Sequence, residues 1–156
     1  MKILITICAR GGSKGIPRKN IKNLNNKPLI YYTIKAAKEF QKLYDADICL
    51  SSDDNEIINV SAELGLKTIY KRPKKLALDS TGKIETINHA LLFFEKYFEK
   101  KYDFILDLDV TSPLRTINDL TLAFNKLINS TNALNIFSVN NCNRNPYFNM
   151  VEINNN

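Results

Sequence analysis

Twelve consecutive residues near the start, Ala9-Arg10-Gly11-Gly12-Ser13-Lys14-Gly15-Ile16-Pro17-Arg18-Lys19-Asn20, combine three glycines with four cations. Glycine lets a backbone turn tightly and bring its N–H groups against a ligand, and clustered cations select an anion, so this loop predicts a polyphosphate cradle. In that reading the Arg10 guanidinium forks onto phosphate oxygens, Lys14 and Lys19 supply point charges, and the N–H groups of Gly11, Gly12 and Ser13 complete the cradle. Neither common nucleotide fingerprint is present. There is no GxGxxG, and the Walker pattern fails because no Gly-Lys-Ser/Thr closes it; Gly82-Lys83 is followed by Ile84. The competing reading is a flexible Gly-Gly-Ser turn with solvated lysines.

A second group is acidic. Asp107 and Asp109 alternate with Leu108, so on a strand they face the same way, where an oxygen-seeking Mg²⁺ could bridge them to phosphate. Asp109 is expected to be a metal ligand or a reader of the base, against an N-cap or an ion pair with Arg115. His89, the single histidine, has no Ser or Cys partner at diagnostic spacing and is expected to be structural. Cys8, Cys49 and Cys142 are odd in number and too widely spaced for a zinc knuckle or a CxxC pair. They read as reduced thiols, with Cys8 a small hydrophobe rather than a nucleophile.

The elements that must hold these groups follow from periodicity. Lys2 to Cys8 is a continuous β-branched run, the pattern of a strand buried on both faces. Pro28 to about Leu43 carries apolar residues at helical spacing, with Pro at the first helical position. Ile48-Cys49-Leu50 reads as a strand, Asp53 with Glu56 as the cap of a helix that Gly65 ends, and Leu66 to Tyr70 as a third strand. Lys71 to Asp79 reads as a loop. Ile84 to Phe98 is an amphipathic helix, Phe104 to Leu106 a fourth strand, and Thr116 with Asp119 the cap of a helix running to about Asn129. Ala133 to Val139 and Tyr147 to Ile153 read as further strands. Strands alternating with helices predict an α/β fold with a doubly wound, mainly parallel sheet, in which ligands bind beyond the C-terminal strand ends. The polar groups fall there.

The 156 residues suffice for one domain with a sizeable core, and 44% hydrophobic with 24% charged residues excludes a disordered, fibrous or disulfide-framework chain. The net charge of +6 is unevenly placed: Met1 to Lys38 holds nine bases and no acid. The basic character thus belongs to the glycine-rich end. Nucleic acid is not the expected partner, because no aromatic residue precedes Tyr31 to stack on bases. No stretch approaches the roughly 20 apolar residues that cross a bilayer, and no signal peptide is visible, so the expected location is the cytoplasm.

Four motifs in order resemble the acylneuraminate cytidylyltransferases, the CMP-sialic acid synthetase family. They are Ala9 to Pro17 with Lys19-Asn20-Ile21, then Leu50-Ser51-Ser52-Asp53, then Lys71-Arg72-Pro73 with Leu76-Ala77 and Asp79-Ser80, and last Thr111-Ser112-Pro113-Leu114-Arg115. The resemblance covers about residues 3 to 140. It implies a Rossmann-like nucleotidyltransferase fold, and a reaction in which CTP and a nonulosonic sugar acid give a CMP-sugar and pyrophosphate, with Mg²⁺. It further implies Arg10, Lys14 and Lys19 as catalytic residues. The nucleotide would be lined by Ala9, Arg10, Gly11, Gly12, Ser13, Lys19, Asn20, Arg72, Ser80, Thr81 and Asp109, with Ser80 or Thr81 opening a helix. The metal would fall to Asp109 and Asp107.

One departure is informative. Asp109-Val110 stands where the family typically has Gln-Pro, and a carboxylate cannot donate the hydrogen bonds of an amide, which leaves the identity of the base open. Family members run to more than 200 residues, so the chain is expected to lack the C-terminal part that supplies sugar-acid contacts and a dimer arm. It is then either a fragment of a longer enzyme, a homodimer in its full-length form, or a short form that binds nucleotide without turnover.

Overall fold

The computed structural model describes residues 1–139. At its centre lies β1 (Ile3–Cys8), parallel to β4 (Ala46–Ser51) on one side and β5 (Phe104–Asp107) on the other. Five successive residues of β1, Ile3 to Ile7, are wholly buried, as the unbroken apolar run predicts for a strand covered on both faces. Each large aliphatic residue so placed contributes roughly 1.5–3 kcal/mol. Thr6 is the one polar member, and its hydroxyl donates to Asp107 Oδ1 at 2.8 Å across the strand pair. A core position is thereby used to orient a carboxylate.

Helix α1 (Leu29–Gln41) packs on β1 and β4 through Ile30, Ile34, Ala37 and Phe40. Before it, Asn23–Leu24 (β2) and Lys27–Pro28 (β3) form a small hairpin that periodicity does not reveal. Its two turn residues, Asn25 and Asn26, have φ of +49° and +61°, the left-handed pair that asparagine tolerates in a tight hairpin. Pro28 accordingly sits at the N-cap of α1, not at its first helical position.

Helix α2 (Asn55–Glu63) is capped by Asp54, whose Oδ1 accepts from the N–H groups of Glu56 and Ile57 at 2.9 and 3.1 Å. The expected cap, Asp53, is one residue off, because its carboxylate is engaged elsewhere. Gly65, with φ of +81°, ends α2 as expected.

Leu66 to Tyr70 is not a strand. Thr68 turns its hydroxyl back onto its own backbone, accepting from Tyr70 N and donating to the carbonyls of Leu50 and Tyr70, and this local bonding replaces a ladder. Leu66 and Tyr70 are buried all the same, and Arg72 N reaches Ser52 O at 2.9 Å, so the segment runs along β4 without pairing regularly.

Helix α3 (Lys83–Phe98) buries Ile87 and packs Ala90 and Phe94 in one cluster with Leu4, Cys49 and Tyr70. Phe98, expected on the same stripe, is 43% exposed at the helix end, where Glu99 is left-handed. His89 has the structural role expected, its Nδ1 lying 2.9 Å from the Tyr70 hydroxyl. Because parallel connections are right-handed, a crossover outward from β1 to β4 and a second back across β1 to β5 place their helices on opposite faces. The sheet is therefore doubly wound around β1.

The first 121 residues form one compact unit, and the second begins at Leu122, within α4 (Ile117–Ile128). The cap of α4 is the predicted reciprocal pair: Asp119 N donates to Thr116 Oγ1 at 3.2 Å and Thr116 N to Asp119 Oδ2 at 2.8 Å. Ala133 to Val139, expected as a strand, has an irregular and exposed backbone. The strand expected at Tyr147 to Ile153 lies outside the described residues, as does Cys142. No helix among the described residues is long and apolar enough to cross a membrane.

Candidate active site

The chain leaves β1 toward β4 by one helix and reaches β5 by another on the opposite face, which opens a crevice beyond the C-terminal ends of β1 and β5. Two adjoining hollows of about 480 and 290 Å³ occupy it, and Cys8, Arg10 and Asp109 line both. Lys14, Lys19 and Asn20 border the larger hollow, Arg72, Thr81 and Lys83 the smaller.

The basic wall is the Ala9–Asn20 loop. Ala9 continues the sheet, its N–H donating to Ser51 O at 3.0 Å, and buried Asn20 donates its amide to Arg10 O at 2.9 Å, so both ends of the loop are fastened. Arg10 Nη2 lies 2.7 Å from Asp79 Oδ1, Arg10 Nη1 donates to Ala77 O at 3.3 Å, and Lys14 pairs with the other oxygen of Asp79. Hydrogen bonds from Lys14 and Arg10 hold the Asp79 carboxyl below the usual carboxylate range. Arg18, with φ of +56°, turns away to Asp54 and Glu56 at the start of α2. Four cations clustered in sequence thus become a subset facing the crevice and one securing α2.

The backbone cradle differs from expectation. Gly11 N donates to Asp53 Oδ1 at 3.1 Å and Ser13 N to Gly11 O at 3.0 Å, so two of the three expected N–H donors are bonded within the protein. Side-chain cations, rather than a ring of amides, make up this wall. Gly11 is needed here for space: a Cβ on it would fall 2.6 Å from Asp54 Oδ2 and 2.9 Å from Asp54 Cβ. Gly11→Ala should therefore push Asp54 off the α2 cap and lower stability by about 1–3 kcal/mol, read by urea unfolding; unaltered stability would refute this packing account.

The acidic wall is Asp107, the last residue of β5, with Asp109 two residues beyond it. Lys83 Nζ lies 2.5 Å from Asp107 Oδ2 and 2.6 Å from Asp109 Oδ1, so both carboxylates converge on one cation, as their alternation predicts. Burial works against the charge on Lys83, but the bonds from Asp107 and Asp109 outweigh it and hold its pKa above that of a free lysine. Arg115 does not pair with the Asp109 side chain. It donates to the backbone carbonyls of Asp109 and of Ser112, the latter at 3.1 Å, closing the Asp109–Arg115 turn. Burial, followed by the nearby Asp107, pushes the Cys8 thiol up to about 11, which favours the protonated thiol over the reactive thiolate at neutral pH.

The intervening loop distributes the remaining expected residues. Arg72 is buried, donating through Nε to Ser51 Oγ at 3.0 Å and through Nη2 to Ser51 O at 2.8 Å; it borders the smaller hollow while bracing β4. Ser80 is exposed and borders neither hollow. Thr81 borders the smaller one and donates its hydroxyl to Lys75 O at 3.0 Å. Neither opens α3, which starts at Lys83 behind Gly82.

Sequence reasoning places Asp53 only as a helix cap and within the second family motif, and Asp79 only within the third, and gives neither of them, nor Lys83, a part in the site. Lys83 appears there only as a failed Walker residue, although a base at the start of a helix whose N-terminus is itself positive is unfavourable and could have marked it.

A sequence profile of the cytidylyltransferase family matches residues 4–155. The chain is 40% identical over 152 residues to post-translational flagellin modification protein B of Campylobacter coli, covering 97% of this chain and 63% of that protein. It is also 40% identical over 155 residues to a CMP-N,N'-diacetyllegionaminic acid synthase of Campylobacter jejuni, covering 99% of this chain and 65% of the relative. The chain thus spans less than two thirds of the length of these relatives. In fold it resembles a CMP:2-keto-3-deoxy-manno-octonic acid synthetase solved with CTP, with a TM-score of 0.62 at 19% identity over 82% of this chain and 48% of that one.

Proposed function

The chain belongs to the cytidylyltransferase family, and from that premise we propose that it binds CTP in the crevice and transfers its cytidylyl group to a nonulosonic sugar acid. The observation that carries this reading is the pairing of a basic wall, Arg10 with Lys14, and an acidic wall, Asp107 with Asp109, at the switch point of the sheet. The names of the relatives, one a CMP-diacetyllegionaminic acid synthase, favour a nine-carbon sugar acid as acceptor.

In the proposed reaction a sugar hydroxyl oxygen gives up its proton to solvent and bonds to the α-phosphorus, the bond from that phosphorus to the β-bridging oxygen breaks, and pyrophosphate leaves with the electron pair. Negative charge grows on phosphate oxygens, so catalysis is chiefly positioning and charge stabilisation. Arg10 offers a planar fork, Lys14 and Lys19 add point charges, and Asn20 keeps Arg10 in register by holding its carbonyl.

Among the described residues no group of three or more His, Cys, Asp or Glu could hold a metal ion. Two carboxylates already converging on one cation do suit Mg²⁺, which is commonly held by one or two carboxylates, waters and substrate phosphates. Asp107 and Asp109 would hold it, with Thr6 fixing the orientation of Asp107. A bound Mg²⁺ supplies charge neutralisation at the phosphates. A cytoplasmic location and a homodimeric longer form complete the proposal.

Titration calorimetry with the four ribonucleoside triphosphates tests it. CTP should bind at least about tenfold more tightly than the others, a difference of about 1.4 kcal/mol. Equal affinities would remove the selectivity for cytosine, and oligonucleotide binding with a steep salt slope and no triphosphate affinity would replace the reading altogether.

A further inference from the structure

The segment from Asp79 to Lys83 sends one charge of each sign into the crevice, each toward its opposite. The Asp79 carboxylate lies between Arg10 and Lys14, and the Lys83 ammonium between Asp107 and Asp109. An anion on the basic wall and a cation on the acidic wall, four residues apart, are the charge pattern of a polyphosphate with its divalent counter-ion. The receiving groups are built in: Thr6, wholly buried, fixes Asp107, and buried Asn20 fixes the Arg10 backbone. Of the delivering residues, Asp79 is exposed on the loop before α3 and Lys83 is the exposed first residue of that helix, which has no side-chain cap. Braced receivers and exposed donors suit an exchange.

We propose that Asp79 and Lys83 are internal counter-ions that hold the phosphate and cation positions in the free chain and are displaced together when nucleotide and cation bind. Both then act as affinity-setting residues: ligand binds only the fraction of molecules in which the segment has withdrawn, and its apparent affinity falls by that fraction. The inference rests on the proposed phosphate and cation sites.

Two probes separate the halves. Inorganic pyrophosphate binding is measured by calorimetry without metal, and Mn²⁺ binding by electron paramagnetic resonance without nucleotide. Asp79→Asn should tighten pyrophosphate binding, and Lys83→Met should tighten Mn²⁺ binding, each roughly fivefold, the size of one partly exposed ion pair. Glu85→Gln and Lys74→Gln remove like charges from the same region and should leave both affinities unchanged, which separates displacement of a contact from a general change of field. Thermal unfolding confirms that each variant is folded. If either Asp79→Asn or Lys83→Met fails to tighten its probe, or the controls tighten it equally, the inference is overturned. If Arg10→Ala binds pyrophosphate as the unaltered chain does, or no chain binds Mn²⁺, the site reading itself fails and the inference falls with it.

Discussion

Replacing Arg10 by alanine is expected to weaken CTP binding by about a hundredfold, the worth of two charge-assisted hydrogen bonds to phosphate. Arg10 borders both hollows, and its guanidinium already bonds a carboxylate at 2.7 Å, the geometry a phosphate would inherit. Lysine at this position should recover only part of the loss, because an ammonium keeps the charge but not the fork. Folding should be little affected, since Arg10 is a partly exposed loop residue whose side chain otherwise bonds, among the described residues, only to Ala77 O at 3.3 Å, while the Asn20 bond to its backbone carbonyl survives the change. The check is calorimetry beside thermal unfolding. A large drop in melting temperature would make Arg10 a structural residue, and unchanged CTP affinity would move the phosphate site elsewhere.

Asp109→Asn should reduce Mg²⁺-dependent pyrophosphate release by at least about a hundredfold, because the amide is the same size but removes one of two carboxylates that converge on a cation. The same variant should not lose CTP affinity measured without metal, since it removes a negative charge from a site for anions. Turnover at the original rate would sink the metal role of Asp109 and leave it as a reader of the base. The distinction matters because an amide here is the family's usual choice, so Asp109→Asn moves the chain toward its relatives' chemistry at this position. A gain of activity with a second base would assign Asp109 to base selection.

Local patterns carried most of the architecture. The run from Lys2 to Cys8, the helical spacing of Ile30, Ile34, Ala37 and Phe40, and the Thr116–Asp119 cap are all short-range signals, and each element formed near its expected bounds. Leu66 to Tyr70 failed because the alternative is also local: the Thr68 hydroxyl satisfies backbone groups that a ladder would have used. Asp53 and Asp54 are neighbours in sequence with different tasks, one on Gly11 and one on α2, and only the fold decides between them. The site was legible as far as its residue types went. Asp107 and Asp109 reach one cation although Asp109 lies two residues past the end of β5, so alternation named the pair without fixing its geometry, whereas Asp79 meets Arg10, and Lys83 meets Asp107, across distances that no periodicity encodes. The glycine loop shows the converse, since its composition announces three backbone donors of which the folded protein bonds two, Gly11 N and Ser13 N, internally.

Pyrophosphate release from each nucleoside triphosphate, with and without a panel of nine-carbon sugar acids, tests the central claim most directly. It should be run on this chain and on any longer reading frame that contains it. Release that requires both CTP and a sugar acid, and that Arg10→Ala removes, is the predicted result. CTP bound tightly with no release from any of these proteins would contradict it, and would leave the crevice a nucleotide-binding site without transferase chemistry.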